Sequence, residues 1–371
     1  MAPRPHFLFL SEADMIAAGV DNPERCVEVS EEVFRLLHRG DYVMGGPTGN
    51  SHGLGLVFPA SSPFPAMPVA GPDRRFVAMP AYLGGRFDVC GNKWYGSNAA
   101  NPANGLPRSV LTLMLNDKET GEPLCLMSAN ILSAARTGAV PAVASRHLPP
   151  TAPTSLAVIG CGVINRAVVR ALLSQHPGIT EVACFNRSPA KAEEFAAWLR
   201  QDYGLAARVA RNAEDCVAGA DLVTVAASRT APLRVEAHWF APEATIMLSG
   251  PMQADDELWT GSRVVYDHIA LHESYVEDAR ASSDLHAAYD ATIGGPFYRL
   301  IDAGRLPPLL ESEDLGAVID EARTPPRGRR SVFISCGMAV FDLAWGAELL
   351  ATAERERLGQ RLDLWASESV H

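Results

Sequence analysis

The 371-residue chain is 47% hydrophobic and 20% charged, which suits a folded globular protein and excludes a disordered or fibrous one. Its formal net charge of −11 excludes a nucleic-acid partner, since a phosphate backbone needs clustered Lys and Arg; the one basic run, Arg327 to Arg330, reads as an exposed loop. No apolar run is long enough for a membrane span, and the N-terminal stretch meets Glu12 and Asp14 too early for a signal peptide. The cysteines (26, 90, 125, 161, 184, 216 and 336) are scattered without a CxxC pair, so a cytoplasmic protein with reduced thiols is expected.

In chain order, residues 25–39 carry apolar side chains at helical spacing and stop at Gly40. Residues 45–73 are rich in Gly, Pro and Ser and are expected to be irregular. Extended runs follow at 75–82, 87–95 and 109–116, the last turning through 117–121 into LCLM as a hairpin. A helix of small residues is predicted over 128–148, kinked or restarted at Pro141. From Thr154 the pattern changes to strand (TSLAVIG), helix (GCGVINRAVVRALL), strand (EVACFNR) and helix (SPAKAEEFAAWLRQ). Further strands are expected at 221–227, 244–250, 263–269 and 330–337, then a long helix from Met338. This alternation predicts an α/β protein: a central Rossmann-type, doubly wound parallel sheet at 141–330, with a discontinuous α+β domain from 1–140 and 331–371.

Gly160-Cys161-Gly162 sits at the junction of an apolar strand and a helix, where a dinucleotide's pyrophosphate is bound. The first glycine permits the turn and the second the close approach, while the helix start at Gly162, Val163 and Ile164 offers free N–H groups. Asn165 takes the third glycine's place, which puts close helix–strand packing there in doubt. The second strand ends in Asn186-Arg187-Ser188 rather than in Asp or Glu. Amide, guanidinium and hydroxyl donors suit a 2′-phosphate that a carboxylate would repel, so NADPH is expected rather than NADH. Ala227, Ser228 and Thr230, after the strand VTVAAS, and Gly250, after the next, are expected to border this cofactor. His268 and His272 stand four apart beside Glu273, but the stretch reads as a polar helix face with no third ligand, so no metal is expected.

Several segments together resemble the ornithine cyclodeaminase/μ-crystallin family: MPAYLGG (79–85), GNKWYGS (91–97), LNDKETGEPL (115–124), LSAARTGAVPAVASRHL (132–148), the Gly160 turn and SCGMAVFDLA (335–344). GNKWYGSNAANPANGLPRS is closer to its bacterial reductive members. The resemblance implies a homodimer built through the non-Rossmann domain, a site in the cleft between domains, and chemistry at an amino or imino acid carbon. It implies that Lys93 contacts the substrate carboxylate or nitrogen and Arg108 the substrate. It further implies that Ser109, Arg136 and Met338 line the cofactor, and that Asp342, in the same C-terminal motif as Met338, is catalytic beside Lys93.

Physical chemistry gives these residues compatible roles. A lysine facing a cleft pairs with a carboxylate, and desolvation lowers its pKa toward proton transfer; the competing reading is a solvated lysine on a strand edge. Arg136, among Ala, Thr and Gly, needs an anion, either a cofactor phosphate or a buried carboxylate. Asp342 is also explained by the dipole of the helix it starts. Where cyclodeaminases carry an Asp, this chain has Met252, with Asp255 and Asp256 in uncertain register, and the 45–52 stretch replaces the family's carboxylate-binding arginine. The expected activity is therefore NADPH-dependent reduction or oxidation at the C–N bond of an amino or imino acid, a 2-oxo acid plus amine being one source of the imine. A cyclodeaminating ammonia lyase with recycled NAD and a non-catalytic NADPH-dependent binding protein are the alternatives.

Overall fold

The computed structural model describes residues 6–227 and 232–365, so Ser228 and Thr230 lie outside the described residues. By contact the chain divides into two units: Met1–Asn22, Arg39–Arg136 and Met338–His371, and Pro23–His38 with Thr137–Gly337. The strand–helix alternation places the borders at 140 and 331. The contact division falls at 136 and 337 and gives the helix residues 23–38 to the second unit, where Glu31, Arg35 and His38 pair with His147, Asp320 and Asp314.

The first unit holds strands β1 (His6–Leu10), β2 (Tyr42–Met44), β3 (Leu54–Val57), β4 (Arg75–Leu83), β5 (Val89–Ser97), β6 (Ser109–Asn116) and β7 (Pro123–Ser128). The second holds β8 (Ser155–Ile159), β9 (Glu181–Phe185), β10 (Ala206–Val209), β11 (Leu222–Val225), β12 (Leu233–Val235), β13 (Thr245–Leu248), β14 (Met252–Ala254), β15 (Arg263–Tyr266), β16 (Glu313–Asp314) and β17 (Ser331–Ile334). Strand β18 (Gln360–Asp363) returns to the first unit.

In the first unit the order is β18-β1-β7-β6-β5-β4-β2, with β3 also on β4. All pairs are antiparallel except β1 with β7. The period-2 rule assigns the faces: Val77, Met79, Ala81 and Leu83 of β4 point inward, as does Lys93 of β5, which pairs with Met79 and Leu113. The helix Ala339–Glu356 covers this inner face. Its approach is close because Gly346 has no Cβ, which would stand 2.5 Å from Leu113 Cδ2. β3 lies inside the stretch expected to be irregular, and its four exposed residues explain why no apolar alternation marked it.

The second unit's main sheet runs β10-β9-β8-β11-β13-β17-β15-β16, and every pair is parallel. The order reverses between β8 and β11, the switch point at whose carboxyl ends ligands bind in such sheets. Strands β8, β11, β13 and β17 are buried almost throughout, which is why they appear in the sequence as unbroken apolar runs. Pro141 removes one helix hydrogen bond but does not restart the helix, which runs unbroken over Asn130–His147. Among the described residues no helix is long and apolar enough to cross a membrane.

Candidate functional site

In the first unit three distant segments meet in one charged centre. Lys93, 3% exposed in mid-β5, donates from Nζ to Ser133 Oγ at 2.7 Å and lies 3.0 Å from Asp342 Oδ1. Arg136 Nε lies 3.0 Å from Asp342 Oδ2, and the carboxylate is fully buried. These are ion-pair contacts rather than aligned hydrogen bonds: Arg136 Nε and both Asp342 oxygens have no partner of good hydrogen-bond geometry. Among the described residues two cations thus face one anion in a medium of low dielectric, an excess of one positive charge, with the Tyr95 ring 5.8 Å from Lys93 Nζ. Burial pushes the Lys93 ammonium down to about 8, the charge of Arg136 adds to the fall, and Asp342 opposes it. Lys93 is therefore no solvated edge lysine, and Asp342 does more than meet a helix dipole. The anion beside Arg136 here is Asp342. Ser133, one helical turn before Arg136, went unnoticed in the sequence, although that spacing is itself the signal.

Arg108 and Ser109 are not brought to this centre. Ser109 starts β6 and Arg108 precedes it, whereas Lys93 pairs with Leu113, four residues beyond Ser109, or ~13 Å at strand spacing. Arg108 is largely exposed and donates to Asp73 at 2.8 Å, and Ser109 Oγ donates to Ser97 Oγ at 3.0 Å.

In the second unit the turn after β8 meets the requirements of a diphosphate. Gly160 has φ +92°, and a Cβ there would stand 2.5 Å from Ala226 O. Gly162 is the N-cap of the helix Val163–Gln175, has no side-chain cap, and borders open space that a Cβ would fill. Val163 is exposed and Ile164 partly so. Such a helix start, with uncapped N–H groups and a positive dipole end, fits an anionic diphosphate. Gly250, at the end of β13, approaches Ala227 so closely that a Cβ would stand 3.0 Å from Ala227 N.

Asn165 does not loosen helix–strand packing as its departure from glycine suggested. Fully buried, it donates from Nδ2 to Ile159 O at 2.8 Å and Gly160 O at 2.7 Å, and its Oδ1 accepts from Thr224 at 2.8 Å. Asn186 is also committed: its Oδ1 accepts from Cys161 N at 3.2 Å and its Nδ2 donates to Ser188 O at 3.1 Å. Arg187 is exposed beyond β9, and Ser188 holds the next helix's N-cap position without a side-chain cap bond. Met338 is buried as the N-cap of the helix Ala339–Glu356, after Gly337 at φ +78°.

His272 is not on a polar face but fully buried, with Nε2 2.9 Å from Asp267 Oδ1 and Nδ1 2.6 Å from Tyr298 Oη. The other oxygen of Asp267 accepts from Cys336 N and Gly337 N, so the network ties β15 to the end of β17. Among the described residues no group of three or more His, Cys, Asp or Glu could hold a metal ion. Asp255 caps a helix through Leu258 N and also accepts from Ala237 N, Asp256 pairs with Arg305, and Met252 is buried in β14.

The profile of the ornithine cyclodeaminase/mu-crystallin family matches residues 21–355. The N-((2S)-2-amino-2-carboxyethyl)-L-glutamate dehydrogenase of Staphylococcus aureus is 30% identical over 302 residues, covering 78% of this chain and 82% of that protein. The ketimine reductase mu-crystallin of Rattus norvegicus is 27% identical, over 71% of this chain and 76% of that one. An archaeal alanine dehydrogenase dimer with bound NAD shares the fold at TM-score 0.77 and 23% identity, covering 97% of this chain and 100% of that one.

Proposed function

Because the chain belongs to the ornithine cyclodeaminase/mu-crystallin family, we propose that it is an NADPH-dependent reductase of an imino acid, or the dehydrogenase running the same step backwards. At the coarser level it is an NAD(P)-dependent oxidoreductase acting on C–N bonds, in line with the dehydrogenase and the ketimine reductase it resembles. The observation that carries the finer reading is the excess positive charge of the Lys93–Asp342–Arg136 centre, which a substrate carboxylate neutralises.

NADPH, when bound at the Gly160–Ile164 turn, supplies the hydride. Lys93 holds the carboxylate and so fixes the substrate's C=N carbon, and orientation of this kind lowers a barrier without new chemistry. With its pKa brought down to about 8, Lys93 also stands ready to protonate the nitrogen, and Asp342 keeps the ammonium charged for both tasks. Arg187 supports the preference for NADPH: it is exposed past β9, and no carboxylate follows that strand to repel a 2′-phosphate. The buried Met252 and the structurally engaged Asp255 and Asp256 leave cyclodeamination without its acid.

The outer face of the first unit's sheet exposes Leu54, Leu56, Phe76, Trp94, Val110 and Met114, with Phe76 and Trp94 stacked at 5.6 Å. A patch of this kind needs a partner, and a second copy of the chain fits the dimeric state named for the archaeal dehydrogenase. Trp94→Glu is expected to halve the molar mass seen by light scattering.

The function is tested spectrophotometrically, as NADPH oxidation with a panel of 2-oxo acids and amines. Consumption of one NADPH per imine reduced is expected. Ammonia release without net NADPH consumption would point to the lyase, and tight ligand binding without turnover across the panel to the binding protein.

A further inference from the structure

We propose that Asn165 is a positioning residue for the cofactor, which with Asn186 clamps the Gly160–Cys161 peptide from both sides; this rests on the dinucleotide reading of the turn. Asn165 Nδ2 pulls the Gly160 carbonyl inward at 2.7 Å. On the opposite edge of the same peptide plane, Cys161 N–H is taken by Asn186 Oδ1 at 3.2 Å. A peptide flip at this position would break both bonds. Each asparagine is itself anchored, Asn165 by Ile159 O and Thr224 Oγ1, and Asn186 by Ser188 O. Asn165 and Thr224 are both wholly buried, so neither amide nor hydroxyl has water as an alternative partner.

The clamp has two consequences for recognition. The Cys161 amide is spent within the protein, so the diphosphate is held by the amides that follow, those of Gly162, Val163 and Ile164 at the uncapped helix start. The glycine-rich fingerprint uses a third glycine to let helix and strand approach. Here a side chain replaces that void with hydrogen bonds to the turn itself, so the departure from the fingerprint is a second way of holding the turn.

Asn165→Gly decides the matter because it restores the glycine pattern while removing the clamp. On the full-length protein, calorimetry with NADPH and with NADH is expected to show both weakened alike, about tenfold or more, since the diphosphate is common to both. Asn165→Ala, a better helix former, is expected to lose as much. Thr224→Val is expected to lose less, and nothing further when combined with Asn165→Gly. Turnover at saturating cofactor is expected to stay near the parent value, a split that general destabilisation would not produce. Amide hydrogen exchange without cofactor supplies an independent readout: the Cys161 amide, bonded to Asn186, is expected to be slow in the parent and to become fast in Asn165→Gly. Undiminished affinity in Asn165→Gly, or unchanged Cys161 exchange, would overturn the clamp. A parent chain that binds neither nucleotide would overturn the functional reading instead, and the exchange experiment would still decide the clamp.

Discussion

The two regions that carry the proposed chemistry are built on opposite physical principles. The centre at Lys93, Asp342 and Arg136 places three full charges where water is excluded, and those charges do not cancel. The turn at Gly160–Ile164 uses no side-chain charge, only backbone amides, a helix start and two neutral asparagines. Burying charge is costly and burying satisfied amides is nearly neutral, so the first region trades stability for function and the second does not.

The contrast is broken or sharpened most strongly at Lys93. Lys93→Met is expected to lower turnover by about 10³-fold or more. It leaves Arg136 and Asp342 as a balanced pair, so the thermal midpoint is expected to hold or rise, with NADPH affinity unchanged by calorimetry. Undiminished turnover would remove Lys93 from the mechanism. Asp342→Asn has the opposite sign for stability: two buried cations lose their counterion, at a cost of about 3–5 kcal/mol in denaturant titration. Activity is expected to fall with it, by about a hundredfold.

The pH profile sharpens the same point. Lys93 sheds its proton near pH 8 rather than at its ordinary 10.5, so kcat/KM is expected to hold below pH 8 and to fall above it. For stability the sign reverses: burial disfavours the charged lysine, so that penalty is relieved as pH rises from about 8 toward 10.5. Without Asp342 to favour the charged form, the activity limb is expected to move to lower pH.

At the turn, Arg187→Ala is expected to raise the NADPH dissociation constant about tenfold and leave that of NADH unchanged. Equal losses for the two nucleotides would detach Arg187 from the 2′-phosphate. The smallest effect is expected outside both regions. Glu31 is held down at about 2, chiefly by the hydrogen bond from His147 and against the pull of burial. Its stabilisation is present above pH 4.5 and is lost as pH falls toward 2, and Glu31→Gln is expected to cost about 1 kcal/mol at neutral pH with turnover unchanged.

Legibility in the sequence follows the same division. The turn, its flanking strands and the start of the next helix form one contiguous stretch, and buried parallel strands appear as apolar runs, so 154–188 could be read locally. The charged centre joins residues 93, 133, 136 and 342, which nothing local connects; a family resemblance pointed to three of them and missed Ser133. His272 reads as solvated because Glu273, Glu277 and Asp278 follow it on the same helix, and only the fold places Asp267 and Tyr298 against it. β1 and β18, short strands at one side of the sheet, and the exposed β3 carry too little apolar alternation to be marked.

The most direct test of the charged centre is kcat/KM for an imino acid against the matching imino carboxamide, with NADPH saturating. A preference for the carboxylate of a hundredfold or more, collapsing in Lys93→Met, is expected. Equal turnover of acid and amide would contradict a centre whose surplus charge awaits a carboxylate.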